Sequence, residues 1–167
     1  MEYIFRKATA VENGSIMEII NDAKQQMLRE GKSQWNESYP TISNIDTDIA
    51  NGNAYVMLSN GRIVAYGAVV FTGEPAYDNI EGQWSSEQPY VVLHRIAVAR
   101  SARRKGIGMR FMHEVERLSI SKGIHSFKVD TNYDNERMLR LFEKMGFVYC
   151  GKICYPQGER MGYEKLL

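Results

Sequence analysis

The basic, glycine-containing segment at residues 98–109 is the part of the sequence with the most readable chemistry. Three consecutive basic residues, 103–105, precede Gly106 and Gly108, at a point where a strand is predicted to give way to a helix. The first turn of a helix carries unbonded N–H groups and the positive end of the helix dipole. Glycines let an oxyanion approach this backbone, and Arg and Lys add charge. The segment therefore predicts a phosphate or pyrophosphate site.

Two well-known nucleotide-binding loops do not fit this segment. A Walker A loop requires G-x4-G-K-[ST], which the sequence lacks. A dinucleotide fingerprint requires G-x-G-x-x-G, but Phe111 stands at the third glycine position, although Asp130 lies where a ribose-binding acid would be expected. A helix start that merely needs glycines remains the structural alternative, which the three adjacent basic residues disfavour.

The same segment resembles the pyrophosphate loop of the GNAT N-acetyltransferase superfamily. Arg103-x-x-Gly106-x-Gly108 is similar to that superfamily's [RQ]-x-x-G-x-[GA] pattern. A second motif, N-x-x-A-x-x-L-Y-E-K-x-G-F, is similar to the stretch from Asn135 to Phe147, which ends in E-K-M-G-F. The resemblance is specific over about residues 90–150, and the order of strands and helices extends it to the whole chain.

This resemblance implies a fold and a cofactor. The fold class is α+β, with a mixed, centrally splayed β-sheet flanked by helices, in one acetyltransferase domain over residues 1–167. Strands 90–98 and 126–131 are the pair expected to splay, so that the pantetheine arm of acetyl-CoA lies between them like an added strand. A backbone N–H near Ile96 would polarise the acetyl carbonyl. The cofactor-binding residues implied are Ile96, Ala97, Val98, Arg103, Arg104, Lys105, Gly106, Ile107, Gly108, Met109, Asn132, Asn135 and Phe142.

Phe142 is where the sequence departs from the family pattern. Many members have Tyr there, whose hydroxyl protonates the departing thiolate, and Phe has no hydroxyl. Because a CoA thiol has a pKa near 8.5, roughly that of free Cys, water can suffice as the acid. Tyr133 and Tyr149 are the candidate hydroxyl donors, and for each of them a structural role is the alternative.

The candidate general base is His94, two residues before Ile96 and facing the same way if no bulge intervenes. The acids Glu81 and Asp78 are alternatives in the preceding loop. The acceptor pocket is expected from the first helices and from the loop before the splayed strand. The candidate residues of this pocket are Trp35, Asn36, Tyr39, Tyr77 and Asp78. For each of them, packing in the core under the loops is an equal alternative.

The order of elements is predicted from hydrophobic spacing and turn residues. The Asn60-Gly61 pair predicts a type I′ hairpin turn, followed by a strand central in its sheet. Residues 73–89 are predicted to form a long loop, and 99–105 a basic turn. The predicted strands are 2–8, 55–58, 63–71, 90–98, 126–131, 147–155 and 160–166, and the predicted helices are 11–29, 41–51, 106–121 and 134–145.

Composition excludes several classes of protein. The chain has 167 residues, of which 44% are hydrophobic and 25% charged, so it is not expected to be disordered. Its longest apolar run is shorter than the roughly 20 residues that span a bilayer, and its N-terminus has no signal-peptide pattern. Cys150 and Cys154 would lie about 13 Å apart on a strand, too far for a disulfide. We therefore expect a cytoplasmic protein without a structural metal.

Taken together, the motifs predict an acetyl-CoA-dependent N-acetyltransferase that acts directly on a primary amine of a small molecule or peptide. Two rival functions remain. A non-catalytic acyl-CoA-binding or sensing module is consistent with Phe142. A nucleic-acid binder would use the basic turn from Arg100 to Lys105, but the net charge of only +1 disfavours it. We expect no membrane partner, and a homodimer is possible.

Overall fold

The helices of the computed structural model, which describes residues 2–167, begin and end close to their predicted bounds. Two short 3₁₀ turns, Ala10–Glu12 and Arg100–Ala102, precede the first and third helices. Within the described residues the α-helices are α1 (Asn13–Arg29), α2 (Ile42–Ala50), α3 (Ile107–Ser121) and α4 (Glu136–Lys144).

The strands belong to one mixed sheet, which the four helices flank. In chain order they are β1 (Tyr3–Lys7), β2 (Ala54–Ser59), β3 (Arg62–Val70), β4 (Glu81–Gly82), β5 (Val91–Val98), β6 (Ser126–Thr131), β7 (Val148–Tyr155) and β8 (Gly158–Leu166). Their order across the sheet is β1-β2-β3-β5-β6-β8-β7-β4. β5 and β6 are parallel, and their ladder consists of the pairs Val91↔Phe127 and Val92↔Lys128. A ladder restricted to the first residues of β5 agrees with the predicted splayed sheet.

The chain divides into two compact units. The first contains the residues up to Val69 together with His94–Glu114, and the second contains Val70–Leu93 and Val115–Leu167. The first has a core of aliphatic residues from α1, α2 and β2, with Trp35 and Tyr66. The second has a smaller core cluster built on Val70, Tyr77, Val92 and Ile153. A single domain over residues 1–167 stays a prediction.

The β2–β3 hairpin forms as its turn residues predict. Asn60 has φ 51° and Gly61 has φ 75°, the two positive values that a type I′ turn requires. β3 lies between β2 and β5, and its residues 64–70 are all buried. The prediction of a central strand after an Asn-Gly turn is therefore confirmed.

The segment 73–89 is more ordered than the predicted loop. It contains a 3₁₀ helix, Pro75–Asn79, and the short strand β4, which pairs with β7 at Gly82↔Gly151. A Cβ on Gly82 would lie 2.2 Å from the carbonyl oxygen of Cys150, so this approach needs glycine. The loop prediction was wrong here because the pairing depends on a residue far along the chain.

Arg6 and Glu12 form an ion pair that makes the stability depend on pH. Arg6 donates two hydrogen bonds to the Glu12 carboxylate, at 2.9 and 2.8 Å. With further donation from Thr9, they lower the pKa of Glu12 from 4.5 to about 2. Because this pKa is lowered on folding, the stabilisation is present above about pH 4.5 and is lost as pH falls through about 2.

We therefore expect Arg6→Met to destabilise the protein by about 1 kcal/mol or less at neutral pH. The difference from the parent should shrink on acidification, because protonated Glu12 no longer gains from Arg6. Urea denaturation over a pH series measures this difference. The exposed Arg62→Met serves as control. A difference that stays constant down to about pH 2 would contradict the linkage.

Candidate active site

The basic turn after β5 presents its backbone at the start of α3. Arg104 has φ 63° and Gly106 has φ 73°, so the chain turns through two left-handed residues before the helix begins at Ile107. The amide of Arg110 donates to the Gly106 carbonyl at 3.0 Å, which closes the first helical turn. A Cβ added to Gly106 would meet no heavy atom within 4 Å. The space before this backbone is open, as an approaching oxyanion would require.

β5 is irregular where the predicted cofactor-binding residues begin. Arg95 has φ 55°, an unusual value for a non-glycine residue in a strand. A left-handed residue interrupts the regular alternation of side chains along a strand, so the same facing of His94 and Ile96, expected for a strand without a bulge, is not supported. Ala97 is buried, and His94, Ile96 and Val98 are half-buried. The base role of His94 stays a prediction that strand periodicity no longer supports.

The Arg95 side chain forms a buried ion pair with Asp48. Asp48 on α2 is 5% exposed, and its carboxylate accepts from Arg95 Nη2 at 2.5 Å and Nε at 2.9 Å. The Tyr66 hydroxyl also donates to it. Arg95 Nη1 donates to the Tyr39 hydroxyl at 3.0 Å, which ties the segment before α2 to β5. Sequence reasoning missed this network, since its members are 18 to 56 residues apart.

The charges of this network are fixed by its partners. Burial lowers the pKa of Arg95, but its bonds to Asp48 and Tyr39 outweigh burial and raise it. Burial and the Asp48 carboxylate both raise the pKa of Tyr66. Arg95 therefore stays cationic and Tyr66 stays a neutral donor. The Asp48 carboxylate accepts two hydrogen bonds from Arg95 and one from Tyr66.

The predicted acceptor residues of the first unit lie in the segment between α1 and α2. Trp35 is 8% exposed and packs in the hydrophobic core of that unit. Asn36 is exposed, and its Oδ1 accepts from the Ser38 amide at 2.8 Å. Tyr39 is 37% exposed and is held by Arg95. Burial of Trp35 supports its structural alternative, and the acceptor roles of all three stay predictions.

In the second unit a carboxylate at the end of β6 is held by two phenols. Asp130 Oδ2 accepts from the hydroxyls of Tyr77 at 2.6 Å and Tyr155 at 2.9 Å. Tyr155 also lies 3.3 Å from Glu74 Oε1. Burial, followed by Asp130, raises the pKa of both phenols, which keeps them protonated as donors. Tyr77 is thus a core residue bound to Asp130, whereas the neighbouring Asp78 is exposed and lines a cavity.

The polar residues before α4 bond to one another. Asn135 is the N-cap of the helix: its Oδ1 accepts from the Met138 amide at 3.4 Å, and its Nδ2 donates to Thr131 Oγ1 at 3.1 Å. Asn132 donates to Asp134 at 2.7 Å. The cofactor contacts implied for Asn132 and Asn135 stay predictions. The N-cap position of Asn135 explains, without any cofactor contact, why asparagine is found there.

Phe142 and the two candidate acids have very different environments. Phe142 is 1% exposed and packs against Phe147 and Tyr163, with ring centroids 5.6 and 5.3 Å apart. Tyr149 is 48% exposed, its ring 5.5 Å from that of Tyr163, and Tyr133 is 75% exposed. The buried hydrocarbon ring of Phe142 has no proton to donate, and the acid roles of Tyr149 and Tyr133 stay predictions.

Metal-binding clusters and membrane-spanning helices are absent from the part of the chain that the structure describes. In residues 2–167 no group of three or more His, Cys, Asp or Glu side chains could hold a metal ion. Over the same range, no helix is both long and apolar enough to cross a membrane. Cys150 and Cys154 are free thiols.

Known proteins resemble this chain in sequence and in structure. The family model described as acetyltransferase (GNAT) family matches residues 15–147. A GNAT family acetyltransferase from Streptococcus agalactiae has 32% identity and a TM-score of 0.90, with 99% of this chain and 95% of that chain covered. No curated protein sequence matches significantly.

Two more distant solved structures show the same fold. A ribosomal-protein-alanine N-acetyltransferase from Brucella melitensis has 22% identity and a TM-score of 0.72, covering 98% of this chain and 99% of that one. A NatC complex bound to Gag peptide and CoA has 14% identity and a TM-score of 0.71, covering 100% and 99%. At identities this low, the similarity of these two proteins to this chain shows only that the fold is shared.

Proposed function

Because this chain belongs to the acetyltransferase (GNAT) family, we propose that it is an N-acetyltransferase that moves an acetyl group from acetyl-CoA directly to a primary amine of a small molecule or peptide. The observation that carries the proposal is the turn before α3. Its left-handed backbone at Arg104 and Gly106, with open space before Gly106, suits a diphosphate.

Different residues of the first unit would bind different parts of acetyl-CoA. The amides of residues 104–109 would bind the pyrophosphate, and the exposed side chains of Arg104 and Lys105 would add positive charge. The backbone of residues 96–98 would bind the pantetheine arm. When bound, acetyl-CoA would supply an activated thioester. The roles of Asn132, Asn135 and Phe142 toward the cofactor stay predictions.

Acetyl transfer to an amine requires two proton transfers. The acceptor must lose a proton to react as a neutral amine, and His94, Asp78 and Glu81 remain the candidate bases. The leaving thiolate must gain one, from water or from Tyr149 or Tyr133. The chain's main contribution is then the positioning of the reactants, since a thioester needs little further activation.

A non-catalytic acyl-CoA-binding module is the second candidate function. It is favoured by Phe142, whose buried ring offers no hydroxyl where many family members have one. Both functions require acetyl-CoA binding, and only the enzyme requires turnover. Release of CoA thiol that depends on an added amine therefore separates them.

Composition supports proposals about the location of the protein and its partners. We propose a cytoplasmic location, consistent with two free thiols, and no nucleic-acid partner, consistent with the net charge of +1. A homodimer stays a prediction.

Binding experiments with Lys105→Met test the proposed use of acetyl-CoA. If Lys105 contacts phosphate, the variant should bind CoA at least about tenfold more weakly, because a charge-assisted bond is worth about 1.5–3 kcal/mol. Acetyl-pantetheine lacks the pyrophosphate, so its affinity should be unchanged. Calorimetry with both ligands measures this, with Lys152→Met on β7 as the charge-matched control. Equal losses for both ligands would show that Lys105 does not contact phosphate.

A further inference from the structure

A cavity of about 420 Å³ lies within the second unit, and two of its lining residues, Tyr77 and Asp78, are among the predicted acceptor residues, whereas Lys128 is not. The segment between Tyr77 and Tyr90 forms most of its wall, and Lys128 of β6 contributes to it. This volume is in the range of small-molecule sites in proteins.

Lys128 is the unusual member of this cavity. The residue is 3% exposed, and its Nζ lies 4.4 Å from the ring centroid of Trp84 and 4.1 Å from that of Tyr90. Among residues 2–167 the ammonium has no hydrogen-bond acceptor, and because no fully enclosed side-chain nitrogen there lacks a partner, Nζ must open to the cavity. Two aromatic faces stabilise a buried cation, but they leave its three N–H donors available to a ligand.

Glu164, the acid that could have neutralised Lys128, is already fully occupied. This buried carboxylate accepts from the amides of Ser85 at 2.7 Å and Ser86 at 3.2 Å. It also accepts from the hydroxyls of Ser86 at 2.5 Å and Ser126 at 2.7 Å. Glu164 therefore acts on Lys128 as a nearby charge and not as a hydrogen-bond partner.

The aromatic walls of the cavity are fixed by their own hydrogen bonds. Trp84 Nε1 donates to the Tyr77 carbonyl at 2.9 Å, and the Tyr90 hydroxyl accepts from the Glu74 amide at 3.1 Å. The rings of Tyr77 and Trp84 are also in contact, with centroids 5.1 Å apart. The cavity is thus shaped before any ligand arrives, which lowers the entropic cost of binding.

The charges around the cavity have both signs. Asp78 and Glu87 line it together with Lys128. Burial lowers the pKa of Lys128, and the negative charges of Glu164, Asp78 and Glu87 partly oppose this. A simple anion would be repelled by the two lining acids, and a simple cation by Lys128. A ligand that carries both charges is complementary to the cavity.

We propose that this cavity binds a small zwitterion with the chemistry of a free α-amino acid, whose carboxylate accepts hydrogen bonds from Lys128 Nζ and whose ammonium group lies toward Asp78 or Glu87. Asp78 is also a candidate base of the proposed acetyl transfer, but binding of the zwitterion to Lys128 requires no acetyl-CoA, so the site does not depend on that reaction. Its test is therefore made without acetyl-CoA.

The binding test uses L-alanine, L-leucine and L-phenylalanine as probes of increasing size. Binding is measured by calorimetry, and in parallel by the change in tryptophan fluorescence in a Trp35→Phe background, where Trp84, whose ring Lys128 contacts, is the remaining tryptophan. Each amino acid is compared with its methyl ester, which lacks the carboxylate. We expect at least one amino acid to bind, and its ester to bind at least about tenfold more weakly.

Variants of the chain complete the test. Lys128→Met keeps the length of the side chain and removes its charge, so it should bind the amino acid at least about tenfold more weakly, whereas Lys152→Met on β7 should bind it like the parent. The ester comparison on the parent protein stands even if Lys128→Met fails to fold. Failure of all three amino acids to bind, equal binding of acid and ester, or undiminished binding by folded Lys128→Met would each overturn the proposal.

Discussion

Replacing Asp48 with alanine is expected to lower the free energy of unfolding by about 3–5 kcal/mol. The change removes the carboxylate that accepts from Arg95 and Tyr66, and it leaves the Arg95 guanidinium, with a side chain 16% exposed, without its counter-charge. Urea denaturation monitored by circular dichroism measures the loss. This effect is large because the penalty arises from an uncompensated buried charge and not from one missing bond.

Two further variants isolate that cause. Asp46→Ala lies on the same helix, and its exposed carboxylate accepts one bond from Asn13, so it should cost about 1 kcal/mol or less. The double change Asp48→Leu with Arg95→Met replaces both charges with apolar groups, and it should cost less than Asp48→Ala alone. Equal losses for Asp48→Ala and Asp46→Ala would contradict the role of the buried pair.

Replacing Gly106 with alanine is expected to reduce the affinity for acetyl-CoA by at least about tenfold. Gly106 has φ 73°, and the space where the new Cβ would lie is open. We propose that this space is where the pyrophosphate approaches the backbone. The methyl group would therefore displace the ligand's charged oxygens from the amides that bind them.

Gly123 provides a matched control for this substitution. It also has φ 73° and open space where a Cβ would lie, but it follows α3, outside the proposed phosphate loop. Gly123→Ala should carry a similar cost in backbone strain, about 1–2 kcal/mol, and leave the affinity for acetyl-CoA unchanged. Calorimetry on both folded variants makes the comparison. If the two variants bind acetyl-CoA with equal affinity, the loop does not contact the pyrophosphate.

The features that sequence analysis predicted well are those with local signals. The Asn60-Gly61 turn needs only two residues that accept positive φ, and the structure has both values. The glycines and basic residues of the 103–109 turn mark the start of α3 within one residue, because Gly106 lies directly before the helix. Such features are determined by residues that are adjacent in the chain, so they can be predicted from the sequence.

The features that it missed depend on partners far apart in the chain. Nothing local to Asp48 indicates that Arg95 lies against it, and nothing local to Arg95 indicates that its backbone is left-handed. β4 exists because Gly82 and Gly151, 69 positions apart by their numbers, allow two backbones to approach closely. Lys128 looks like an ordinary strand residue until Trp84 and Tyr90 cover it.

Acetyl transfer from acetyl-CoA to an amine is tested most directly by amine-dependent release of CoA thiol. The parent protein is mixed with acetyl-CoA and a panel of simple amines, polyamines, amino acids and peptides with free N-termini, and Gly106→Ala is assayed beside it. We expect at least one amine to raise thiol release above the background hydrolysis, with formation of the N-acetylated amine, and Gly106→Ala to lower this rate at subsaturating acetyl-CoA. Tight acetyl-CoA binding with no amine-dependent release across the panel would contradict acetyl transfer and favour the binding module.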